Sequence, residues 1–140
     1  MRRRRRSACG SPIDLTYIET PCYIHAARED HIAPAASVWK LTRHLKANWS
    51  FLLAASGHIA GVVNPPSAGR YRYWTNDDAP ESLDAFIEGA QEHPGSWWPH
   101  WLEWLMTQDD AEVTVTGKRR PGGRGDGLLE DAPGSYVRAR

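Results

Sequence analysis

Two short apolar runs separated by one amphipathic stretch constrain this chain more than any other feature of its sequence. The runs are residues 22–27 and 49–55, and both are rich in the apolar and aromatic residues typical of buried strands. Between them, residues 35–47 show the apolar periodicity of a helix. The stripe consists of Val38, Leu41 and Leu45. A strand, a helix and a second strand in this order form a parallel pair joined by a right-handed crossover. The sequence therefore predicts an α/β fold.

A polar loop follows each predicted strand, and each loop carries one residue suited to acid–base chemistry. Asp30 follows the first strand, and His58 follows the second, between Gly57 and Gly61. The two glycines are expected to let the backbone turn sharply at this point. Loops that follow adjacent parallel strands meet at one edge of the sheet, about 5 Å apart. We therefore expect the side chains of Asp30 and His58 to lie within hydrogen-bond distance.

An aspartate and a histidine at one sheet edge are two of the three members of a nucleophile–His–Asp triad. The aspartate would orient one ring nitrogen of His58, and the other nitrogen would take a proton from a serine or a thiol. The order acid, then histidine, is that of the α/β-hydrolase fold. The nucleophile is missing, because neither Cys9 nor Cys22 lies in the G-x-C-x-G turn that this fold requires. A loop histidine without a catalytic task is the alternative interpretation of His58.

Length and charge narrow the class of protein further. The 140 residues suit one domain, and Arg2 to Arg6 contribute five of the 17 positive charges against 17 negative ones. The remaining chain is therefore acidic, which argues against nucleic-acid binding, and residues 1–8 are expected to be a disordered leader.

No apolar run approaches the ~20 residues of a membrane span, and no secretory signal is recognisable. Cys9 and Cys22 lack zinc-site spacing and are expected to be reduced thiols in a cytoplasmic protein.

Two more helices are expected after the histidine loop. Residues 81–92 have an apolar face formed by Leu83, Phe86, Ile87 and Ala90. Residues 96–108 carry four tryptophans and are apolar around most of the circumference, so we expect burial, with core packing preferred to ligand stacking. Residues 116–130 are expected to be a flexible linker, because Gly, Arg and Lys dominate there. Residues 131–140 then form a C-terminal tail.

Five segments of the chain have distinctive sequences. They are Arg-Glu-Asp-His-Ile-Ala-Pro at 28–34, Gly-His-Ile-Ala-Gly-Val-Val-Asn-Pro-Pro at 57–66, Tyr-Trp-Thr-Asn at 73–76, Glu-His-Pro-Gly-Ser-Trp-Trp-Pro-His-Trp at 92–101 and Asp-Ala-Pro-Gly-Ser-Tyr-Val at 131–137. In this order they resemble the C-terminal part of class I poly(3-hydroxyalkanoate) synthases, the bacterial polymerases that make polyhydroxybutyrate. The resemblance extends from about residue 9 to residue 137.

This resemblance implies that residues 9–115 are the C-terminal portion of an α/β-hydrolase catalytic domain. Members of the family transfer 3-hydroxyacyl groups from coenzyme A to a growing polyester through a cysteine thioester. Asp30 resembles the triad aspartate and His58 the triad histidine, which deprotonates the thiol. Asp30 would orient His58 or help to activate the hydroxyl of the bound acyl group, and His31 would have a structural role. The implied substrate is 3-hydroxyacyl-CoA, and no cofactor is implied.

The sequence departs from the family pattern because it contains no G-x-C-x-G segment. A truncated synthase that is inactive by itself is therefore expected, and whether the chain acts as an acyltransferase stays open. One alternative is a split synthase, in which another polypeptide supplies the cysteine. A second is a binding module whose tryptophans at 97–104 adhere to polyester granules in the cytoplasm. A nucleic-acid role for the arginine leader is less favoured.

Overall fold

The computed structural model describes residues 6–8, 11–78, 80–115, 117 and 130–139, which fall into two units, 1–110 and 111–140. In the first unit, Arg6–Ala8 (β1) pairs antiparallel with Ser11–Ile13 (β2). The other residues of the expected leader lie outside the described part of the chain. The expected linker at 116–130 also lies outside it, apart from two residues, Gly117 and Glu130.

The second unit contains one short regular element within its described residues. Ser135–Arg138 forms a 3₁₀ turn. The hydroxyl of Ser135 donates a hydrogen bond to Oε1 of Glu130 at 2.9 Å, which ties the start of this turn to the chain before it.

The first unit is built on a four-stranded sheet in the order β3–β4–β5–β6. The strands are Cys22–Ala27 (β3), Trp49–Ala54 (β4), Arg72–Thr75 (β5) and Gln91–Pro94 (β6). β3 and β4 run parallel, and Ala27 lies opposite Ala54 at their carboxyl ends. β5 and β6 extend the sheet in antiparallel orientation. The predicted parallel pair is confirmed, and the fold is mixed α/β.

The sequence pattern does not predict β5 or β6. The helix predicted at residues 81–92 is too long, because α2 covers only Leu83–Glu88 and ends at Gly89. Its start is capped by the hydroxyl of Ser82, which accepts a hydrogen bond from the N–H of Ala85 at 3.1 Å. β6 is polar and pairs with β5 through its backbone and a 3.0 Å ion pair from Arg72 to Glu92. Such a strand depends on its neighbours rather than on its own sequence pattern.

The helix predicted at residues 35–47 is also shorter in the structure. α1 spans Ala35–Trp39, and the chain continues as a tighter 3₁₀ turn at Lys40–Arg43. The hydroxyl of Thr42 donates a hydrogen bond to the carbonyl oxygen of Trp39 at 2.8 Å, which competes with a regular helical pattern. The predicted apolar stripe nevertheless packs against the core and consists of Val38, Leu41 and Leu45.

One face of the sheet carries the larger apolar core. Phe86 of α2 is fully buried, and its ring centroid lies 5.6 Å from that of Trp39 and 5.0 Å from that of Phe51. Ile24 and Leu53, which are 5% and 3% exposed, complete the centre of this cluster. α1 and α2 therefore cover this face of the sheet.

The opposite face packs against α3, which spans Trp98–Gln108. The buried residues here are Leu52, Ala54 and Tyr73, with Tyr23 and Trp97 packed on them. Burial, together with nearby His93, lowers the pKa of His100 in α3, and Nδ1 of its ring is hydrogen-bonded to the hydroxyl of Tyr23 at 2.7 Å. Helices thus lie on both faces of the sheet.

The expectation that this last helix is buried around most of its circumference is wrong. In α3, Trp98, His100 and Trp104 are half-buried, and the stripe that faces away from the sheet is exposed. The exposed apolar side chains of this stripe are Trp101, Leu102, Leu105 and Met106. We call these four residues the outer stripe of α3.

The replacement Phe86→Ala tests the assignment of the core face. We expect a loss of about 3–5 kcal/mol in the free energy of unfolding, because the mutation leaves a cavity between Trp39 and Phe51. Ile87→Ala is the matched control on the same helix, since that side chain is 47% exposed, and its cost should be below about 1 kcal/mol. Urea unfolding of both variants measures the difference, and equal losses would contradict the assignment.

Candidate active site

The two strand-end loops are joined by backbone hydrogen bonds that continue the β3–β4 ladder. The N–H of Arg28 donates to the carbonyl oxygen of Ala54 at 2.8 Å, and the N–H of Glu29 donates to that of Ser56 at 3.0 Å. Asp30 follows in the first loop and His58 in the second, as the parallel arrangement predicts. The carboxyl edge of the sheet therefore carries both residues.

Asp30 and His58 are in direct contact. Nδ1 of His58 lies 2.7 Å from Oδ2 of Asp30, and the side chains are 46% and 7% exposed, respectively. The other carboxylate oxygen, Oδ1, accepts hydrogen bonds from the N–H groups of Ile32 and Ala33, both at 2.8 Å. Every oxygen of this carboxylate thus has a partner, and the expected contact between the two predicted residues is present.

These contacts fix the charge of the aspartate and the tautomer of the histidine. The N–H of Ala33, then His58 and the N–H of Ile32, hold the pKa of the Asp30 carboxyl below its usual range, against the opposing effect of burial. An ionised carboxylate only accepts hydrogen bonds, so Nδ1 of His58 carries the proton. In the neutral ring, this tautomer leaves the lone pair on Nε2, which lies on a half-exposed side chain and can accept a proton.

The histidine loop turns at a residue other than the one its sequence suggests. Ser56 has a φ of 75°, in the left-handed region that side chains rarely adopt, whereas Gly57 has no positive φ. Gly61 is required for a different reason. A Cβ at Gly61 would lie 2.9 Å from Cβ of Ala27 and from the carbonyl oxygen of Gly57, so only glycine lets the loop pack against β3. The expected sharp turn at Gly57 is thus corrected to Ser56.

A pocket of about 390 Å³ adjoins the pair. His25, Asp30 and His58 supply its polar groups. The other lining residues are small or branched aliphatic side chains, namely Ala26, Ala27, Ala33, Val38, Ile59, Val62 and Val63. Burial lowers the pKa of His25, whose ring packs tilted against that of Trp97 with the centroids 4.6 Å apart, and so favours the neutral form of this histidine. The pocket therefore combines an aliphatic wall with one acid–base pair.

Of the two cysteines, the structure describes Cys22, which lies far from the Asp30–His58 pair. Cys22 begins β3, at the end opposite Asp30, roughly 16 Å away along the strand, and its thiol donates to the carbonyl oxygen of Thr20 at 3.3 Å. Cys9 lies outside the described residues. His31 is exposed beside Asp30, and its expected structural role stays a prediction.

In the described part of the chain, no group of three or more His, Cys, Asp or Glu side chains is arranged to hold a metal ion. No helix among those residues is long and apolar enough to cross a membrane.

Sequence reasoning missed two residues that contact the histidine loop. The indole N–H groups of Trp97 and Trp98 donate hydrogen bonds to backbone carbonyl oxygens of that loop. The sequence pattern favours core packing for these tryptophans, with adhesion to polyester granules as the alternative. A pair of indoles at the start of a helix is an available signal, because a half-buried indole N–H normally finds an acceptor.

The site and the fold define a mixed α/β protein with an Asp–His pair at the carboxyl edge of its parallel strands. No protein-family model matches the chain. Among curated proteins, it is 46% identical over 131 residues to the poly(3-hydroxyalkanoate) polymerase subunit PhaC of Rhizobium etli. It is 44% identical over 137 residues to the subunit of the same name from Cupriavidus necator, and 41% identical over 129 residues to the poly(3-hydroxyalkanoate) polymerase of Methylorubrum extorquens.

These matches cover 94%, 96% and 91% of this chain but only 20%, 22% and 21% of the relatives. The chain thus spans about a fifth of the length of the curated relatives, and the matching part is their C-terminal end. The resemblance to poly(3-hydroxyalkanoate) synthases is confirmed, and the chain is a homologue of these polymerases over that segment.

The replacement Asp30→Asn tests the orientation of the pair. The amide oxygen must accept from Ile32 and Ala33, so the amide NH₂ faces Nδ1 of His58, which then has to act as an acceptor. We expect the His58 proton to move from Nδ1 to Nε2, as read from imidazole ¹⁵N chemical shifts. His31 provides the internal control, because its tautomer should be the same in both proteins. A proton that stays on Nδ1 in the variant would contradict the geometry.

Proposed function

We propose that Asp30 and His58 are the acid and the base of an acyl-transfer triad of the poly(3-hydroxyalkanoate) synthase type, whose nucleophile lies outside this chain. Residues 9–115 would then form the C-terminal portion of an α/β-hydrolase catalytic domain. The observation that carries the proposal is the 2.7 Å contact between Oδ2 of Asp30 and Nδ1 of His58 at the sheet edge. The similarity to proteins named poly(3-hydroxyalkanoate) polymerase subunits supports the class of reaction.

In this proposal, His58 is the general base. Nδ1–H stays hydrogen-bonded to Asp30, and Nε2 takes the proton of a cysteine thiol supplied by another polypeptide segment. The thiolate attacks the acyl carbonyl of a 3-hydroxyacyl-CoA, the bond to the coenzyme A sulfur breaks, and the imidazolium returns its proton to that sulfur. Asp30 remains ionised and stabilises the imidazolium while it exists. The step needs no metal or organic cofactor.

The pocket beside the pair suits the acyl part of such a substrate. Its wall of alanine, valine and isoleucine side chains would contact a short aliphatic chain, and the acid–base pair lies at one side of it. The same pair would activate the hydroxyl of the bound hydroxyacyl group for chain extension. We place this chemistry in the cytoplasm, at the surface of the polyester granule.

A fusion tests the roles of the two residues. This chain would replace the matching C-terminal segment of the Cupriavidus necator polymerase, to which it is 44% identical. We expect the fusion to release free thiol from 3-hydroxybutyryl-CoA, and His58→Gln or Asp30→Asn to reduce the rate about 10²–10⁴-fold, since each removes part of the base. His31→Gln is the control and should keep the rate. Variants at 30 and 58 that retain full rate would refute the assignment.

A second arrangement of the same experiment separates an inactive remnant from a split synthase. The purified chain alone should release no thiol from 3-hydroxybutyryl-CoA, because it contains no nucleophile turn. It is then mixed with the Cupriavidus necator polymerase from which the matching segment has been deleted. Restored turnover indicates a separate subunit, and its absence indicates a remnant. Clear turnover by the chain alone would contradict the proposal.

One observation favours a second candidate function, binding to the polyester granule. In the outer stripe of α3, Trp101 is 40% exposed and Leu102 is 56% exposed. The stripe continues through Leu105 and Met106. Neighbouring exposed apolar residues of this kind mark contact surfaces. A granule of aliphatic polyester would present an apolar surface to them.

The replacement Leu102→Glu tests this candidate. A buried charge opposes contact with an apolar surface, so we expect the fraction of protein that sediments with polyhydroxybutyrate granules to fall several-fold. Ile87→Glu is the matched control, because Ile87 is 47% exposed on α2, at the opposite face of the sheet. Equal sedimentation of wild type and both variants would eliminate the granule-binding candidate.

A further inference from the structure

The segment that carries His58 has little support from its own side chains. Residues 56–63 form turns rather than a helix or strand, and internal hydrogen bonds run from Gly61 to Gly57 and from Val63 to Ile59. Ile59 and Val63 are 73% and 61% exposed, so their burial adds little. A loop of this kind is expected to be among the less stable parts of a fold unless other groups hold it.

Two indole groups at the start of α3 hold this loop through hydrogen bonds. Nε1 of Trp97 lies 3.0 Å from the carbonyl oxygen of Gly61 and 3.2 Å from that of Val62. Nε1 of Trp98 lies 3.0 Å from the same oxygen of Val62. Indole N–H groups only donate, so these contacts are hydrogen bonds from the helix to the loop. We call Trp97 and Trp98 the indole clamp.

The indole clamp is itself anchored to the sheet. The ring of Trp97 packs against His25 in a tilted arrangement at 4.6 Å and stacks on Tyr23 at 6.2 Å, and both partners belong to β3. The hydroxyl of Tyr23 in turn is hydrogen-bonded to Nδ1 of His100, one turn further along α3. The start of α3 therefore lies in a fixed position against β3, the strand that also leads to Asp30. The hydrogen bonds of the indole clamp therefore connect the loop of His58 to that same strand.

We propose that Trp97 and Trp98 are positioning residues for the Asp30–His58 pair, which act by donating hydrogen bonds to the loop backbone. The proposal rests on the proposed function, since positioning matters only if the pair has a chemical task. Without the clamp, the loop detaches more often from α3, and the imidazole leaves Asp30. The functional consequence is a base that is out of place for part of the time.

The clean test removes the indole N–H and nothing else. Benzothienylalanine at position 98 keeps the fused ring but has sulfur in place of the N–H. Trp98→Phe is the genetic counterpart, which removes the N–H together with one ring. Losing one hydrogen bond should increase the detached population about fivefold. We expect solvent exchange of the His58 Nδ1 proton, followed by ¹H NMR, to become about fivefold faster, and Trp97→Phe to have an effect of the same size.

Thr107→Val is the matched control. Thr107 lies on the same helix, its side chain is exposed, and its hydroxyl donates a hydrogen bond to the carbonyl oxygen of Trp104 within α3 rather than to the loop. In this variant, we expect the Nδ1 proton of His58 to exchange with solvent at the wild-type rate. Backbone amide exchange in β4, at Leu53 for example, should be unchanged in every variant, which separates loop release from general unfolding.

Unchanged exchange of the Nδ1 proton in the position-98 variants would overturn the proposal. Faster exchange that is matched by loss of protection in β4 would also overturn it, because the tryptophans would then support the fold rather than the loop. The measurement uses this chain without substrate, so its outcome is independent of the turnover of the fusion enzyme. Failure of the positioning role and failure of the proposed function are therefore distinguishable.

Discussion

The carboxylate of Asp30 is the group on which the rest of the candidate site depends. One of its oxygens accepts the N–H groups of Ile32 and Ala33, which shapes the loop after β3. The other accepts Nδ1–H of His58, which orients the imidazole from the loop after β4. A single ionised group thus shapes its own loop and fixes the tautomer of His58 in the neighbouring loop. The backbone contacts come from residues two and three positions further along the chain, so they orient the carboxylate independently of His58.

The parallel register of β3 and β4 brings the two loops together. Ala27 lies opposite Ala54 at the ends of the strands, and both side chains are small and buried. Gly61 packs against Ala27 so closely that a Cβ would overlap it, and the indole clamp holds the loop from the other side. The position of the imidazole therefore follows from close packing at the strand ends, and a larger residue at any of these points would displace it.

The parts of the fold that the sequence predicted are those determined by local pattern. The two apolar runs predict parallel strands, and parallel strands require Asp30 and His58 to share one edge. The parts it missed depend on partners far along the chain. β6 pairs through Arg72 and Glu92, and the role of Trp97 depends on a carbonyl 36 residues away, at Gly61. No periodicity within one segment records such pairings.

Titration of the Asp30 carboxyl, followed by its ¹³C resonance, shows whether this group is held ionised to orient His58. We predict a pKa below the ordinary aspartate range, because the N–H of Ala33, the His58 ring and the N–H of Ile32 all favour the ionised form. Replacing His58 by Gln should raise this pKa without restoring the ordinary value, since the backbone donors remain. An Asp30 pKa at or above the ordinary range in the wild-type protein would contradict the account, because the carboxylate would then not be held ionised to orient the base.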